Sequence, residues 1–155
     1  MASVHATLVL ASSLTVGLAA VADAATYRVD DSGSLPQEST AELQWREPVP
    51  SRRGDDTLEG TLVVLMRLNV GPWLNRVGRL YLVVPEQAAP LVRLSWRAQG
   101  RFLPGQAVPG QRVLVYEGPV STPWIEERLE LGIEASGSRL EGMQPLTFHF
   151  EIDVD

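Results

Sequence analysis

The stretch Leu62–Pro85 reads LVVLMRLNVGPWLNRVGRLYLVVP, and it decides the fold class of this chain. Two apolar runs flank a short break that is rich in Gly, Pro, Asn and Trp. Apolar runs of about five residues that are rich in Val and bounded by turn residues are typical of β-strands and too short for independent helices. The stretch therefore predicts two central strands joined as a hairpin. Because Leu62–Met66 lacks alternation, this strand is either covered on both faces or central in its sheet.

Alternation of apolar and polar residues with a period of two recurs in residues 41–46, 80–84, 91–97, 128–134 and 146–155. Such alternation buries one face of a strand and leaves the other face in solvent. The residues predicted to face inward are Ala41, Leu43, Trp45, Leu80, Leu82, Val84, Val92, Leu94, Trp96, Leu129, Leu131, Ile133, Leu146, Phe148, Phe150, Ile152 and Val154. About eight short strands separated by turn residues, with no helical period, predict an all-β fold: a single antiparallel β-sandwich of the Greek-key type.

Composition narrows the classes of protein that this chain can represent. Its 155 residues suit one domain, which we assign to residues 25–155, and 45% hydrophobic content is ordinary for a folded protein. The formal net charge is −6, and all 13 basic residues are Arg because Lys is absent. An acidic chain without a basic cluster is a poor ligand for nucleic acid, which we exclude as a partner. Cys is also absent, which excludes disulfides and thiolate chemistry.

Residues Met1–Ala24 have the pattern of a secretory signal peptide. Leu8–Ala20 is apolar, and Ala22 and Ala24 fit a small-x-small cleavage site. The first five residues lack Lys and Arg, which argues against this interpretation, and the alternatives are an uncleaved anchor or a misread N-terminus. No Cys follows the apolar region, so a lipoprotein is excluded. We expect export to the periplasm or the cell surface, with no transmembrane segment in the mature chain.

Candidate catalytic groups are sparse in this sequence. After the signal region, His149 is the only His, and its alternation places it beside Glu151 on the polar face of the last strand. A Ser or Thr nucleophile needs a base of this kind. Any half-exposed strand that ends in acidic residues would show the same spacing, however. We therefore expect His149 to be a solvent-facing strand residue. We also expect that the protein is not an enzyme and uses no cofactor.

Adjacent carboxylates are the only candidate metal ligands, since hard cations such as Ca²⁺ prefer clustered carboxylate oxygens. These pairs are Asp30 with Asp31, Asp55 with Asp56, and Glu126 with Glu127. None has the spacing of an EF-hand, and we expect all of them to be solvated turn residues rather than a metal site. The tripeptide Arg53–Asp55 spells the integrin-recognition motif RGD, but three residues in a Gly- and Asp-rich loop are expected by chance.

Four Trp residues divide into two groups. Trp45 and Trp96 fall on inward strand faces and are predicted to lie in the core. Trp73 and Trp124 follow Pro residues in predicted loops, where a ring can stack on a sugar or anchor a protein partner. The alternative is that each ring folds back and caps an open end of the sandwich.

Polar residues extend the candidate site around Trp73. Asn75 tolerates turn geometry, and Arg76 and Arg79 offer planar donors for carboxylates. A structural role is an equal alternative, in which Arg76 or Arg79 ties the loop to Glu126 or Glu127. The candidate binding residues are Trp73, Asn75, Arg76, Arg79 and Trp124.

Two functions fit these observations. The first is a non-catalytic exported subunit or accessory of a periplasmic or cell-surface assembly, fimbria-like or secretion-associated, whose long terminal strand pairs with a protein partner by strand addition. The predicted architecture is similar in a general way to that of fimbrial subunits, although no motif establishes membership. The second is a carbohydrate-binding module that uses Trp73 and Trp124 as stacking platforms. Fold alone does not separate the two functions.

Overall fold

A computed structural model describes residues 25–38, 40–47, 56–88, 90–140 and 145–155. The predicted signal peptide, Met1–Ala24, and the tripeptide Arg53–Asp55 lie outside these ranges. Within them, ten β-strands and two 3-10 turns are present and α-helix is absent. No helix in the described ranges has the length and apolarity needed to cross a membrane.

The strands are numbered in chain order. They are β1 (Ala25–Arg28), β2 (Leu35–Pro36), β3 (Gln44–Trp45), β4 (Thr57–Asn69), β5 (Val77–Val83), β6 (Leu91–Ala98), β7 (Gly105–Ala107), β8 (Arg112–Pro119), β9 (Trp124–Ser136) and β10 (His149–Val154). The 3-10 turns are Gly71–Trp73, between β4 and β5, and Gly137–Arg139, after β9.

All strand pairs are antiparallel, and they form two sheets. One sheet has four strands in the order β1-β10-β5-β8, and the other has the order β2-β4-β9-β6-β7, with β3 also paired to β4. The pairs β4–β9, β5–β8 and β6–β7 are nested along the chain, and β1 pairs with β10. This nesting is the jelly-roll arrangement of two Greek keys. The predicted antiparallel β-sandwich is confirmed.

The predicted hairpin between the two apolar runs is wrong, because β4 and β5 belong to opposite sheets. β4 pairs with β9 over its whole length, while β5 pairs with β10 and β8. The connection between them, residues 70–76, is longer than the two residues of a tight hairpin. It spans the gap between the sheets, which is about 10 Å in packed sandwiches.

The core lies between the inner faces of the two sheets. Its fully buried large side chains are Trp96, Phe150, Leu68, Leu80, Leu82, Leu94, Leu129, Leu131 and Ile152. Trp96 lies in this core as predicted, and its Nε1 donates a hydrogen bond to the carbonyl oxygen of Leu103 at 2.9 Å. Gly105 makes room for the ring, since a Cβ there would lie 2.7 Å from Cζ2 of Trp96. The period-two prediction thus identifies most of the core.

Two predictions about individual strand faces are wrong. Trp45 is 50% exposed, because β3 has only two residues at the sheet margin and the ring lies against Gly137. Val92 is 39% exposed, because an irregularity in the β6–β9 pairing between Leu91 and Arg93 shifts the alternation. Leu65 is exposed on the outer face, so of the two alternatives for residues 62–66 the central position is correct: β4 lies between β2 and β9.

The last strand, β10, has no free edge. It is shorter than predicted. On one side it pairs with β1, beginning at Ala25↔Val154, and on the other side it pairs with β5, beginning at His149↔Val83. Strand addition requires an edge with unpaired backbone groups. The prediction that the terminal strand pairs with a partner in this way is therefore wrong.

An ionic network crosses the outer face of the four-stranded sheet. Arg112 on β8 lies over the ring of Tyr81, with 3.5 Å between Cζ and the ring centroid, and bonds to Glu151 (2.8 Å) and Asp153 (2.5 Å) on β10. Thr26 on β1 donates to Asp153 Oδ1 at 2.6 Å. The network therefore joins all four strands of the sheet.

We expect Phe150→Ala to lower the free energy of unfolding by about 3–5 kcal/mol, because it removes a fully buried ring and leaves a cavity. Urea denaturation measures this change. The control is Val92→Ala on the exposed face of β6, for which the expected change is within about 0.5 kcal/mol. Equal losses in the two variants would contradict the assigned core.

The Arg112 network also predicts a pH dependence of stability. Partial burial by itself raises the pKa of Asp153, but hydrogen bonds from Arg112 and Thr26 and the Arg112 charge outweigh burial and lower it below its ordinary value. The depressed pKa stabilises the fold above the unfolded value of about 3.9, and this contribution is lost as pH falls through the folded pKa. Urea midpoints between pH 7 and pH 3 should therefore fall less for Asp153→Asn than for the unmodified protein. The idea fails if both proteins lose stability equally.

Candidate interaction site

All five predicted site residues lie at or near one end of the sandwich, where β4, β8 and β10 end and β5 and β9 begin. We call this region the Trp73 end and define it as residues 70–79 and 120–124, with Tyr27 of β1. Trp73, Asn75 and Arg76 belong to the connection between β4 and β5, Arg79 to β5, and Trp124 to β9. The fold thus brings together residues that are up to about fifty positions apart in the chain.

Main-chain hydrogen bonds hold the two connections of the Trp73 end together. Val70 N donates to the carbonyl oxygen of Pro123 at 2.9 Å. Asn75 N donates to Val120 O, and Val120 N donates to Arg76 O, each at 2.8 Å. These reciprocal bonds make the two connections one rigid frame, as expected where backbone polar groups are satisfied.

Asn75 provides the local turn geometry of this frame. Its φ is +64°, in the left-handed region that Asn occupies more readily than most other residues. This agrees with the expectation that Asn75 serves turn geometry. In this conformation the backbone N–H of Asn75 donates to the carbonyl oxygen of Val120, which is one structural role of the residue.

Trp73 is half-buried and packs against the hydrophobic core. Its ring also contacts Tyr27, with 5.6 Å between the ring centroids and an interplanar angle of 41°. Trp73 therefore resembles the capping alternative more closely than a free stacking platform. Tyr27 is a member of this end that the sequence did not single out.

Trp124 was predicted to lie in a loop, but it is the first residue of β9, where it pairs with Asn69. Its side chain is 37% exposed. The guanidinium of Arg67 lies 4.4 Å from the ring centroid, and Arg67 also pairs with Glu126 at 3.3 Å. Trp124 thus presents an indole ring that already has a cationic neighbour.

Arg76 and Arg79 both bind Asp155. Arg76 donates from Nε to the main-chain oxygen of Asp155 at 3.1 Å, with a second bond from Nη2, and Arg79 Nη2 donates to Asp155 Oδ1 at 3.0 Å. The structural role proposed from sequence is therefore correct in kind, but the suggested partners Glu126 and Glu127 are wrong. Sequence distance concealed the true partner, since Asp155 is 79 residues from Arg76.

The three acidic pairs have different roles. Asp30 Oδ1 accepts a hydrogen bond from Ser32 N at 3.0 Å, and hydrogen bonding from the Ser32 side chain, followed by this backbone bond, lowers the pKa of Asp30. The predicted turn there is confirmed. Asp56 Oδ2 accepts bonds from Ser136 Oγ and Ser138 N, and its pKa is also lowered, mainly by Ser138. Its neighbour Asp55 lies outside the described residues.

Glu126 and Glu127 were expected in a solvated turn, and this is wrong because both lie in β9. Glu127 is buried, and its Oε1 accepts a hydrogen bond from Arg101 N at 2.6 Å. In the ranges that the structure describes, no three His, Cys, Asp or Glu residues form a group that could hold a metal ion.

His149 lies on the outer face of the four-stranded sheet, 3.2 Å from Glu151 Oε1. That carboxylate also bonds to Arg112. A catalytic base needs a nucleophile within hydrogen-bond reach, and the neighbour given by the geometry is a carboxylate. The arrangement serves the ionic network that joins the strands of this sheet.

Four large apolar side chains are exposed at the Trp73 end. They are Val77 (55%), Tyr27 (44%), Leu74 (37%) and Trp124 (37%). Sequence reasoning missed Tyr27, Leu74 and Val77, because in a strand or turn pattern an apolar residue is assigned to the core by default. Only the positions of the sheet ends in the structure show which of these apolar residues are left without a covering layer.

Comparison of the chain with protein-family models, curated proteins and solved structures finds no match in any of the three. Inference about function therefore depends on the geometry of the described residues.

Replacing Asn75 tests the rigidity of the frame. Asn75→Val should lower the free energy of unfolding by about 1–3 kcal/mol, because a β-branched residue is strained at positive φ. Asn75→Gly adopts the same backbone without strain and should change it by less than about 1 kcal/mol. Thermal unfolding of the two variants makes the comparison. If Asn75→Val and Asn75→Gly have the same free energy of unfolding, the left-handed turn does not stabilise this end.

Proposed function

We propose that this protein is a non-catalytic, exported β-sandwich that binds a protein partner through the Trp73 end. In this proposal it is a subunit or accessory of a periplasmic or cell-surface assembly, of the fimbria-like or secretion-associated kind. The carrying observation is the exposure of Leu74, Val77 and Trp124 around one hydrogen-bonded frame, with the exposed Tyr27 packed beside it against Trp73.

The composition of this surface supports a protein partner. Tyr, Trp and Arg are the residues most enriched among those that carry binding energy at protein interfaces. Here Tyr27 and Trp124 are exposed and Arg67 lies over the Trp124 ring, while the main-chain bonds of the frame are internal. A rigid surface loses little conformational entropy on binding, which favours affinity.

A carbohydrate ligand has weaker support from the same geometry. Stacking on a sugar needs an open aromatic face, but Tyr27 packs against Trp73, and Arg67 lies over Trp124. Polar recognition of hydroxyls needs available donors, but Arg76 and Arg79 already bind Asp155. The candidate donors and rings are thus largely occupied within the protein.

Site-specific photocrosslinking tests the proposal in the cell that produces the protein. A photoreactive amino acid at position 77 should yield a discrete protein adduct, because Val77 is the most exposed residue of the surface. The matched control is position 92, where Val92 is also exposed but lies on β6. The double variant Leu74→Ser and Trp124→Ser should reduce the adduct at position 77 by about tenfold or more, since loss of interface anchors weakens binding.

Two results would count against a protein partner at this end. One is equal crosslinking at positions 77 and 92, and the other is an adduct that the double variant leaves unchanged. Circular dichroism of each variant establishes that the sandwich is folded. If Trp124→Ala abolishes retardation of the protein in gels that contain polysaccharide, the carbohydrate function replaces the proposal.

A further inference from the structure

A cavity of about 690 Å³ lies at the end of the sandwich opposite the Trp73 end, where β9 ends and β6 begins. The described residues that line the cavity are Thr40, Ala41, Leu43, Leu62, Ala88, Pro90, Leu91, Ile133, Ala135, Leu140, Pro145, Leu146 and Thr147. Its volume falls within the range of about 300–1,000 Å³ that is typical of small-molecule sites. We call it the apolar cavity.

The lining of the apolar cavity is chemically uniform. Eleven of the thirteen lining residues that the structure describes are apolar, and the other two are Thr40 and Thr147. None of the thirteen is charged and none is aromatic. Leu91 and Ile133 also belong to the core between the sheets, and Leu62 packs against it. The cavity is therefore an extension of the hydrophobic core that opens to the surface.

One wall of the cavity is a segment of extended chain, residues 40–45, whose side chains alternate. Ala41 and Leu43 line the cavity, whereas Glu42 and Gln44 line a separate polar trough. The segment passes close to Gly60, where a Cβ would lie 2.6 Å from Leu43 Cδ2 and 2.7 Å from the carbonyl oxygen of Glu42. A side chain at position 60 would displace this wall.

The same wall is anchored at its far end. Trp45 pairs with Leu58 of β4, and Arg46 N donates to Thr57 O at 3.1 Å. Arg46 Nη2 also lies 3.1 Å from Glu134 Oε2 on β9. These bonds hold the segment beside the six-stranded sheet, so the cavity has a fixed wall.

We propose that the apolar cavity binds the aliphatic chain of a fatty acid or lipid, with the polar head group outside. A flexible alkyl chain needs only apolar contact, which Leu, Ile, Ala and Pro side chains provide. A sugar or an aromatic ligand would lack ring faces for stacking, and a wholly enclosed anion would lack a charged partner. The lining thus selects for chains of methylene groups. This site is separate from the Trp73 end and does not depend on the function proposed there.

Displacement of the fluorescent fatty acid cis-parinaric acid from the full-length protein tests the proposal. Saturated fatty acids of eight to sixteen carbons should compete for a single site. Affinity should increase about fourfold with each added methylene until the cavity is filled, as expected from the free energy of burying a CH₂ group. Lysophosphatidylcholine in a parallel titration distinguishes a lipid acyl chain from a free fatty acid as the source of the chain.

Variants that fill the cavity provide the structural control. Ala135→Leu and Ala41→Leu add methyl groups to the lining and should weaken binding by about tenfold or more while the protein remains folded. Ala41 lies on the extended wall outside the two main sheets, so its variant serves if Ala135→Leu fails to fold. Val77→Ser at the opposite end should leave binding unchanged. Thr147→Val should also retain binding, because an alkyl chain needs no hydroxyl.

Several outcomes would overturn the proposal. These are the absence of saturable binding for every chain length, affinity that is unaffected by either filling variant, and loss of binding in Thr147→Val. A photoreactive residue at position 43 that captures a protein, together with no fatty-acid binding, would assign the cavity to a polypeptide instead. Loss of binding in Val77→Ser alone would place the site at the Trp73 end.

Discussion

The antiparallel pairing of β4 with β9 is the interaction on which the rest of the structure depends. Each strand has thirteen residues, and they pair without interruption from Thr57↔Ser136 to Asn69↔Trp124. The short strands β2 and β3 attach to β4, and β6 attaches to β9. Because both strands run the full length of the sandwich, the same pair presents Trp124 at one end and Ala135 at the other.

The inward side chains of this pair change in size along its length. Near the Trp73 end, Leu68 and Ile125 are opposite each other and fully buried. At the other end Leu58 pairs with Ala135, whose small side chain lines the apolar cavity, and Gly60 pairs with Ile133 and leaves room for Leu43 of the adjoining segment. The apolar cavity lies at this end, with residues 40–45 as one wall. One end is therefore filled and presents an apolar surface, and the other is open and concave.

The residues of the candidate site were easier to identify than their surroundings. Trp73, Asn75 and Arg76 could be chosen because a simple reversal of the chain does not require a Trp and an Arg. Their partners could not be predicted, since Tyr27 and Asp155 approach only after β1 and β10 join the sheet. The cavity was also beyond prediction. Ala41 and Leu43 alternate like core residues, and a sequence pattern does not reveal whether an opposing side chain fills the space beside them.

The sequence by itself determined the all-β class, the period-two strands and most of the core, including Trp96, Phe150 and Ile152. Alternation is a local consequence of strand geometry and is therefore visible in any short segment. Only the tertiary structure decided that β4 and β5 lie in opposite sheets, that β10 is interior and that Trp45 is exposed. The physical reason is that backbone pairing is the same for every strand. The choice of partner depends on how all the strands bury their apolar faces together, which no single segment specifies.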